Sequence, residues 1–510
     1  MIQSFSRSLA GLALGVLLPF SALAQSAPSS CKYVEIDKLP LNYTGPSLAI
    51  TTTGSINGKP AVMLVDTGAW RTVLTRTGTE RLDLGLRPTG SHAYGVGGIT
   101  RLYEARVNEL SIGPSRAGKN FMPVLSDFGH PPSYDALVGA PFLMQADLEI
   151  NLAAKELKFF RPLDCRGEFL AYWDPNAVVL PFHEGTGDGR NPHFTVLVDG
   201  SDMVAMIDTG ADLTSVSLRA AKRAGLQLGA PGVTRVGDVA GVGEHKRGRW
   251  RTRFATFQIG DETVNNAEVD VIDYESDIDV ILGADFLRSH RVLFAMSQRR
   301  IYLSYIGGTP FEERNKLAPW VVAEAEAGNA DAQMALARIH AHGRVVAKDM
   351  AEANAWLDKA ARGGNPEANI QTGRRMAARG QLAEGAARLR AALDRQPSNH
   401  EATLWLYIAR LRLGQQQLGT SELKAAMMRY EDEWPRPIAD FYLGKTTAAD
   451  LLKEAAGDKT AAQARTCQAL GAMGAWHAAR GEKEQAETLA ARYKKESCPG
   501  TPEEANTEET

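Results

Sequence analysis

One unit of this sequence is written twice, and that repetition constrains the fold more than any other feature. The first copy runs Ile56-Asn57-Gly58-Lys59-Pro60, then the apolar stretch Ala61 to Val65, then Asp66-Thr67-Gly68-Ala69. The second runs Val198-Asp199-Gly200-Ser201-Asp202, then Met203 to Ile207, then Asp208-Thr209-Gly210-Ala211. Asn-Gly and Asp-Gly tolerate the positive φ of a tight turn, so each copy predicts a hairpin that delivers an aspartate. The match extends further. Gly95-Val96-Gly97 answers Gly241-Val242-Gly243, Ile112-Gly113 answers Ile259-Gly260, and Ala136 to Leu143 answers Val280 to Leu287. The offset is 142 at the aspartates, 146 at the glycine-rich turns and 144 at the last element, drifts of the size that loop insertions produce. The reading is a duplicated β-domain whose equivalent points carry equivalent chemistry.

Two aspartates at such points can form a working pair. Carboxylates held close together cannot both stay ionised, because like-charge repulsion raises one pKa strongly. One is then a general base and its partner a general acid at the same pH. Peptide hydrolysis needs both, an activated water and a proton for the departing amine. Gly68 and Gly210 permit a tight turn whose N–H groups face the carboxylates, and Thr67 and Thr209 can hydrogen-bond across the two loops. The chemistry needs no metal, cofactor or covalent intermediate.

An apolar strand, Asp-Thr-Gly-Ala, a glycine-rich flap and a later apolar-apolar-Gly element, in that order, make each half resemble a retropepsin-like aspartic protease lobe. The resemblance covers residues 45 to 305 and implies an all-β bilobal fold with Asp66 and Asp208 as the catalytic pair. It implies active-site loops at Thr67, Gly68, Ala69, Thr209, Gly210 and Ala211. It also implies flaps over substrate at Tyr94, Gly95, Val96, Gly97 and Gly98, and at Gly241, Val242 and Gly243. Val138-Gly139 and Leu282-Gly283 would pack behind the loops, where glycine allows close backbone approach. The halves are unequal in detail. Trp70-Arg71 follows the first motif where Asp212-Leu213 follows the second, and Pro141 stands where the second copy has Asp285. Alanine after both motifs removes a hydroxyl donor to the carboxylate, which favours its neutral form and predicts activity at mildly acidic to neutral pH. The sequence leaves open whether the pair forms within one chain or between two. A degenerate, catalytically inactive binding module, or a periplasmic scaffold whose helical repeats do the work, is the competing reading.

After Pro310 the composition turns to Ala, Glu, Arg and Leu with helical period. Gly328-Asn329 and Gly364-Asn365 stand 36 residues apart, with Trp356 and Ala360-Ala361 between them. This resembles a Sel1-type repeat, and Ala383–Leu393, Glu401–Leu413, Thr460–Arg480 and Glu482–Lys495 resemble tetratricopeptide helices. Stacked helix pairs build a curved surface for a protein partner or a polypeptide substrate. Trp356, Trp405 and Trp476 read as helix packing. His340 and His342, two apart, face different sides of a helix and make no metal site. The expected architecture is therefore multidomain, an all-β bilobal half followed by an all-α Sel1/tetratricopeptide-like solenoid.

Arg7, the apolar run Leu9 to Phe20 and Ala22-Leu23-Ala24 read as a signal peptide cleaved near Ala24, which predicts a periplasmic or secreted protein with no stable membrane span after cleavage. The four cysteines, Cys31, Cys165, Cys467 and Cys498, then suggest disulfides. Three pairings are possible, and proximity favours Cys31 with Cys165 and Cys467 with Cys498. A net charge of −3 over 510 residues gives no basic excess for nucleic acid. The expected divisions are a signal peptide at 1–24, lobes at 25–166 and 167–307, helical repeats at 311–497 and a disordered acidic tail at 498–510.

Overall fold

Asn57 and Gly58 both take positive φ (52° and 75°), as do Asp199 and Gly200 (47° and 75°). These turns close two matched hairpins, Ala49–Ile56 with Lys59–Asp66 and Phe194–Val198 with Ser201–Ile207. The turn side chains brace the neighbouring strands, since Asn57 Oδ1 accepts from Asn108 N–H (2.7 Å) and Asp199 Oδ1 from Thr256 N–H (2.8 Å). Alternate residues of both hairpins point into the core. Ile56, Met63 and Val65 are fully enclosed in one half, and Phe194, Val198 and Ile207 in the other.

The computed structural model describes residues 30–95, 98–125, 132–183, 191–239, 247–274, 276–311, 316–428, 434–458 and 461–498. The expected signal peptide and residues 499–510 of the expected tail lie outside this range.

Each hairpin sits in its own sheet, of ten strands in the first lobe and seven in the second. In both, the strand that leads into the Asp-Thr-Gly loop pairs in parallel with a short strand from the last repeated element. Asp66 registers with Gly139, and Ile207 with Leu282. A short strand, Val73–Thr75 or Ser215–Ser217, then feeds a six-residue helix, Arg76–Arg81 or Leu218–Arg223. Thr75 and Ser217 cap these helices by accepting from Gly78 N–H and Ala220 N–H.

The lobes are joined by a third, six-stranded sheet to which both contribute. Its seam pairs Asp147–Asn151 with His290–Ala295, bringing Leu148 against Phe294. The two Asp-Thr-Gly loops meet within this one chain, Thr67 N–H donating to Thr209 Oγ1 (3.0 Å). The Cys31–Cys165 disulfide ties the first strand of this sheet, Lys32–Pro40, to the end of its neighbour, Glu156–Leu163.

From Pro319 the described chain is helical. Gly328 and Gly364 take positive φ, and the asparagine after each caps a helix, Asn329 for Ala330–His342 and Asn365 for Pro366–Ala378. The Gly-Asn marks are thus helix boundaries, a positive-φ turn followed by an N-cap. Helices at Leu382–Arg395, His400–Arg412, Ala462–Ala479 and Lys483–Lys495 coincide with the segments expected from sequence to within two or three residues. Gly373 and Gly385 let two helices touch, for a Cβ on Gly373 would lie 2.9 Å from the Gly385 carbonyl oxygen. Cys467 and Cys498 bridge the last pair. The helical region packs on the first lobe. Asn329 Nδ2 donates to Tyr43 O (3.0 Å), and Asp331 Oδ2 accepts from Gly45 N–H (2.8 Å). The Trp320 ring packs against Tyr43 and under the Arg288 guanidinium.

Candidate active site

Asp66 ends a buried strand, and Asp208 immediately follows one. The backbone then turns back in both loops, with Ala69 N–H donating to Asp66 O and Ala211 N–H to Asp208 O, each at 3.3 Å. The loops face one another across the pseudo-two-fold axis. A Cβ on Gly210 would stand 2.5 Å from Asp66 Cγ, and one on Gly68 would collide with the Asp208 carboxyl. Only glycine leaves room for the opposite carboxylate to come that close.

The threonines interlock beneath them. Thr67 Oγ1 donates to Ile207 O (2.8 Å) and accepts from Thr209 N–H (3.1 Å). Thr209 Oγ1 donates to Val65 O (2.5 Å) and accepts from Thr67 N–H (3.0 Å). Thr67 is 0% and Thr209 2% exposed, so these four bonds are made out of water. Behind the loops, a Cβ on Gly139 would lie 2.7 Å from Ala69 O, and one on Gly283 2.8 Å from Ala211 O. Ala140 N–H and Ala284 N–H donate to those same carbonyls. The back-packing expected of both glycines is present.

The two carboxyl groups stand close enough to shift each other's titration. Burial pushes the Asp66 carboxyl well above the usual carboxylate range, and the neighbouring Asp208 charge pushes it further. Burial raises Asp208 too, but the Gly210 N–H holds it down. Donors are unevenly shared. Asp208 Oδ1 accepts from Gly210 N–H (2.8 Å) and, across the loops, from Gly68 N–H (3.2 Å), with Ala211 N–H also lowering its pKa, whereas Asp66 Oδ1 accepts from Ala69 N–H (2.8 Å) and is helped besides by Gly68 N–H of its own loop. The pair titrates as a unit, with Asp66 raised further than Asp208, so one proton is retained between the two carboxyls after the other is lost.

The expected flaps are hairpins as far as they are described. Leu86–Gly95 pairs with Gly98–Val107 up to Tyr94 with Ile99 and Gly95 with Gly98. Val96 and Gly97 at its tip lie outside the described residues. In the second lobe Thr234–Val239 pairs with Arg247–Ile259 as far as Val239 with Arg247, and Gly241, Val242 and Gly243 lie outside. Trp70, beside the first motif, is 64% exposed with the Arg71 guanidinium 4.4 Å over its ring.

Several supporting residues were missed by the sequence reading. Thr72 and Thr214 hold the back-packing glycines through Gly139 N–H and Gly283 N–H, each at 3.2 Å. Buried Asp135 and Asp279 accept from Val62 N–H and Val204 N–H behind the catalytic strands, and pair with Arg81 and Arg223. All of these recur at the offset of the duplication, and extending the repeat comparison would have found them. Asn191 does not recur. It is 5% exposed, and its Nδ2 donates to Thr67 O and to Ile207 O (2.5 Å). No group of three or more metal-ligating side chains is assembled among the described residues.

Two family models match the chain, one to each lobe. Residues 52–145 match "gag-polyprotein putative aspartyl protease" and residues 194–286 match "Aspartyl protease". Both spans include the aspartate motif, the flap hairpin and the back-packing glycine of their lobe. No curated protein matches. Among solved structures, the crystal structure of aspartic proteinase from Irpex lacteus is matched over 54% of this chain and 97% of that one, at 14% identity and a TM-score of 0.33. The two matched halves are retropepsin-like aspartyl protease domains, and the site they build is of the aspartic-peptidase type.

Proposed function

We propose that this aspartic-type peptidase is an endopeptidase of exported proteins, working with one active site per chain. The observation that carries the reading is the interlocked pair of loops, in which each aspartate's carboxyl fills the space left by the glycine of the opposite loop.

The chemistry follows from the uneven pair. Ionised Asp208 takes a proton from a water held between the carboxyls, and the water oxygen bonds to the scissile carbonyl carbon. Asp66 gives its proton to the carbonyl oxygen, leaving a neutral gem-diol. When the C–N bond breaks, Asp208 passes its proton to the departing nitrogen and Asp66 recovers one from a diol hydroxyl. Both carboxyls end as they began. The raised acid on Asp66 supports the sequence-based expectation of activity from mildly acidic to neutral pH.

Export is supported by the signal-like N-terminus and two disulfides, which persist in oxidising compartments. No helix among the described residues is long and apolar enough to cross a membrane. The paired helices after Pro319 offer an extended surface suited to recruiting a polypeptide substrate or a protein partner. The reading is tested by incubating the protein with a reduced, unfolded polypeptide between pH 4 and 8 and mapping new termini by mass spectrometry. Internal cleavages that vanish in Asp208→Asn are expected. No cleavage at any pH would leave a protease-like binding module.

A further inference from the structure

The dyad's two-fold symmetry is broken by one buried side chain. Asn191 precedes the hairpin of the second lobe, and the residue at the same distance before the turn of the first hairpin is Ala49, which carries no donor. The Asn191 carboxamide faces two carbonyl oxygens, Thr67 O from the first lobe and Ile207 O from its own, so its NH2 must point at both. Its two N–H groups are then fully used. Oδ1 is left buried with no partner among the described residues, a cost that stability alone does not explain.

The two carbonyls are not arbitrary. Thr67 C=O and Gly68 N–H belong to one peptide group, and that N–H donates to Asp208 Oδ1. Ile207 C=O and Asp208 N–H belong to the next such group, and that N–H donates to Leu282 O (2.9 Å). A hydrogen bond to a peptide oxygen polarises the peptide and strengthens its N–H as a donor. Asn191 therefore orients and strengthens the Gly68 N–H, the donor that crosses to Asp208 (3.2 Å) besides serving Asp66 in its own loop, while Ala49 supports no such crossing donor toward Asp66. We propose that Asn191 is a positioning residue that makes the dyad asymmetric, assigning the base role to Asp208 and the acid role to Asp66. The inference rests on the peptidase reading for its catalytic consequence, but not for its electrostatic one. Among the described residues, the buried Tyr274 also faces Asp208, and it stays neutral throughout the working range.

The test uses Asn191→Ala, with Asn191→Ser retaining one donor, in the full-length protein. Two readouts are taken, the pH profile of kcat/KM on an unfolded polypeptide and a carboxyl-carbon NMR titration of aspartate-labelled protein. In Asn191→Ala the acidic limb is expected to move up by about half a pH unit or more, with kcat falling roughly tenfold and KM changing less than about threefold. The NMR titration is expected to show the dyad's two apparent pKa values drawing together. Asn191→Ser should lie between, and it carries the test if the alanine variant does not fold. A wild-type pH profile and unchanged dyad titration in a folded Asn191 variant overturn the inference. Absence of turnover in the wild type would instead sink the peptidase reading, and the NMR titration would still decide the role of Asn191.

Discussion

Thr67→Val is the sharpest probe of the loop interlock, because valine keeps the shape and removes only the hydroxyl. Two bonds of ordinary length disappear, Thr67 Oγ1 to Ile207 O and Thr209 N–H to Thr67 Oγ1, together with a long 3.5 Å contact from Thr209 Oγ1, which keeps Val65 O. Their other ends fare differently. Ile207 O keeps the Asn191 donor at 2.5 Å, whereas Thr209 N–H is left buried without a partner among the described residues. A lost buried bond contributes about 1 kcal/mol and an orphaned donor about 1–3 kcal/mol, so a loss of about 2–4 kcal/mol is expected. Denaturant unfolding, followed through the tryptophans and the far-ultraviolet β signal, measures it. Because Ile207 O has two donors, Thr67→Val and Asn191→Ala should be worse together than their sum, by about 1 kcal/mol. Loosened loops should also cost roughly 10–100-fold in kcat, as small misplacements of reacting groups do. A loss below about 0.5 kcal/mol, with activity intact, would refute the claim that these threonines lock the pair.

Other substitutions separate the same parts. Asp66 is more basic folded than unfolded, so its contribution to stability is full below the ordinary carboxylate range and fades as pH rises through its folded value. Asp66→Asn should therefore match the wild type near pH 4, exceed it in melting temperature at pH 7 and be inactive. A less stable variant at pH 7 would contradict the assigned shift. Gly210→Ala, whose methyl would stand 2.5 Å from Asp66 Cγ, should lose at least about 100-fold in kcat, measured on the same polypeptide. Replacing Cys467 and Cys498 by serine opens a loop of sequence separation 31 and should cost about 3–4 kcal/mol in the helical region. Cleavage of a short peptide should be unaffected, and its loss would place the helical pair in the catalytic machinery.

What was legible in the sequence was what the duplication writes twice in contiguous motifs. The hairpin turns, aspartates, loop glycines and back-packing glycines all lie in short segments whose chemistry is local. The helical boundaries were legible for a similar reason, since Gly-Asn encodes both a positive-φ turn and a cap. The recurrence of Asp135 as Asp279 was legible too, but their burial was not, because an acid on a strand end looks solvated until the packed helix that supplies Arg81 or Arg223 is known. The sheet joining the lobes brings together strands more than a hundred residues apart, with no local signal. Asn191 is the hardest case. It has no counterpart in the other copy, so the comparison that exposed the rest could not expose it.

The most direct test of the account mixes two inactive variants. Asp66→Asn and Asp208→Asn are purified separately, assayed on an unfolded polypeptide, then combined and assayed again under conditions that allow any subunits to exchange. A dyad formed within one chain predicts no cleavage by either variant and none by the mixture. A dyad shared between chains would restore one intact site in a mixed dimer, and recovered activity would contradict the single-chain site.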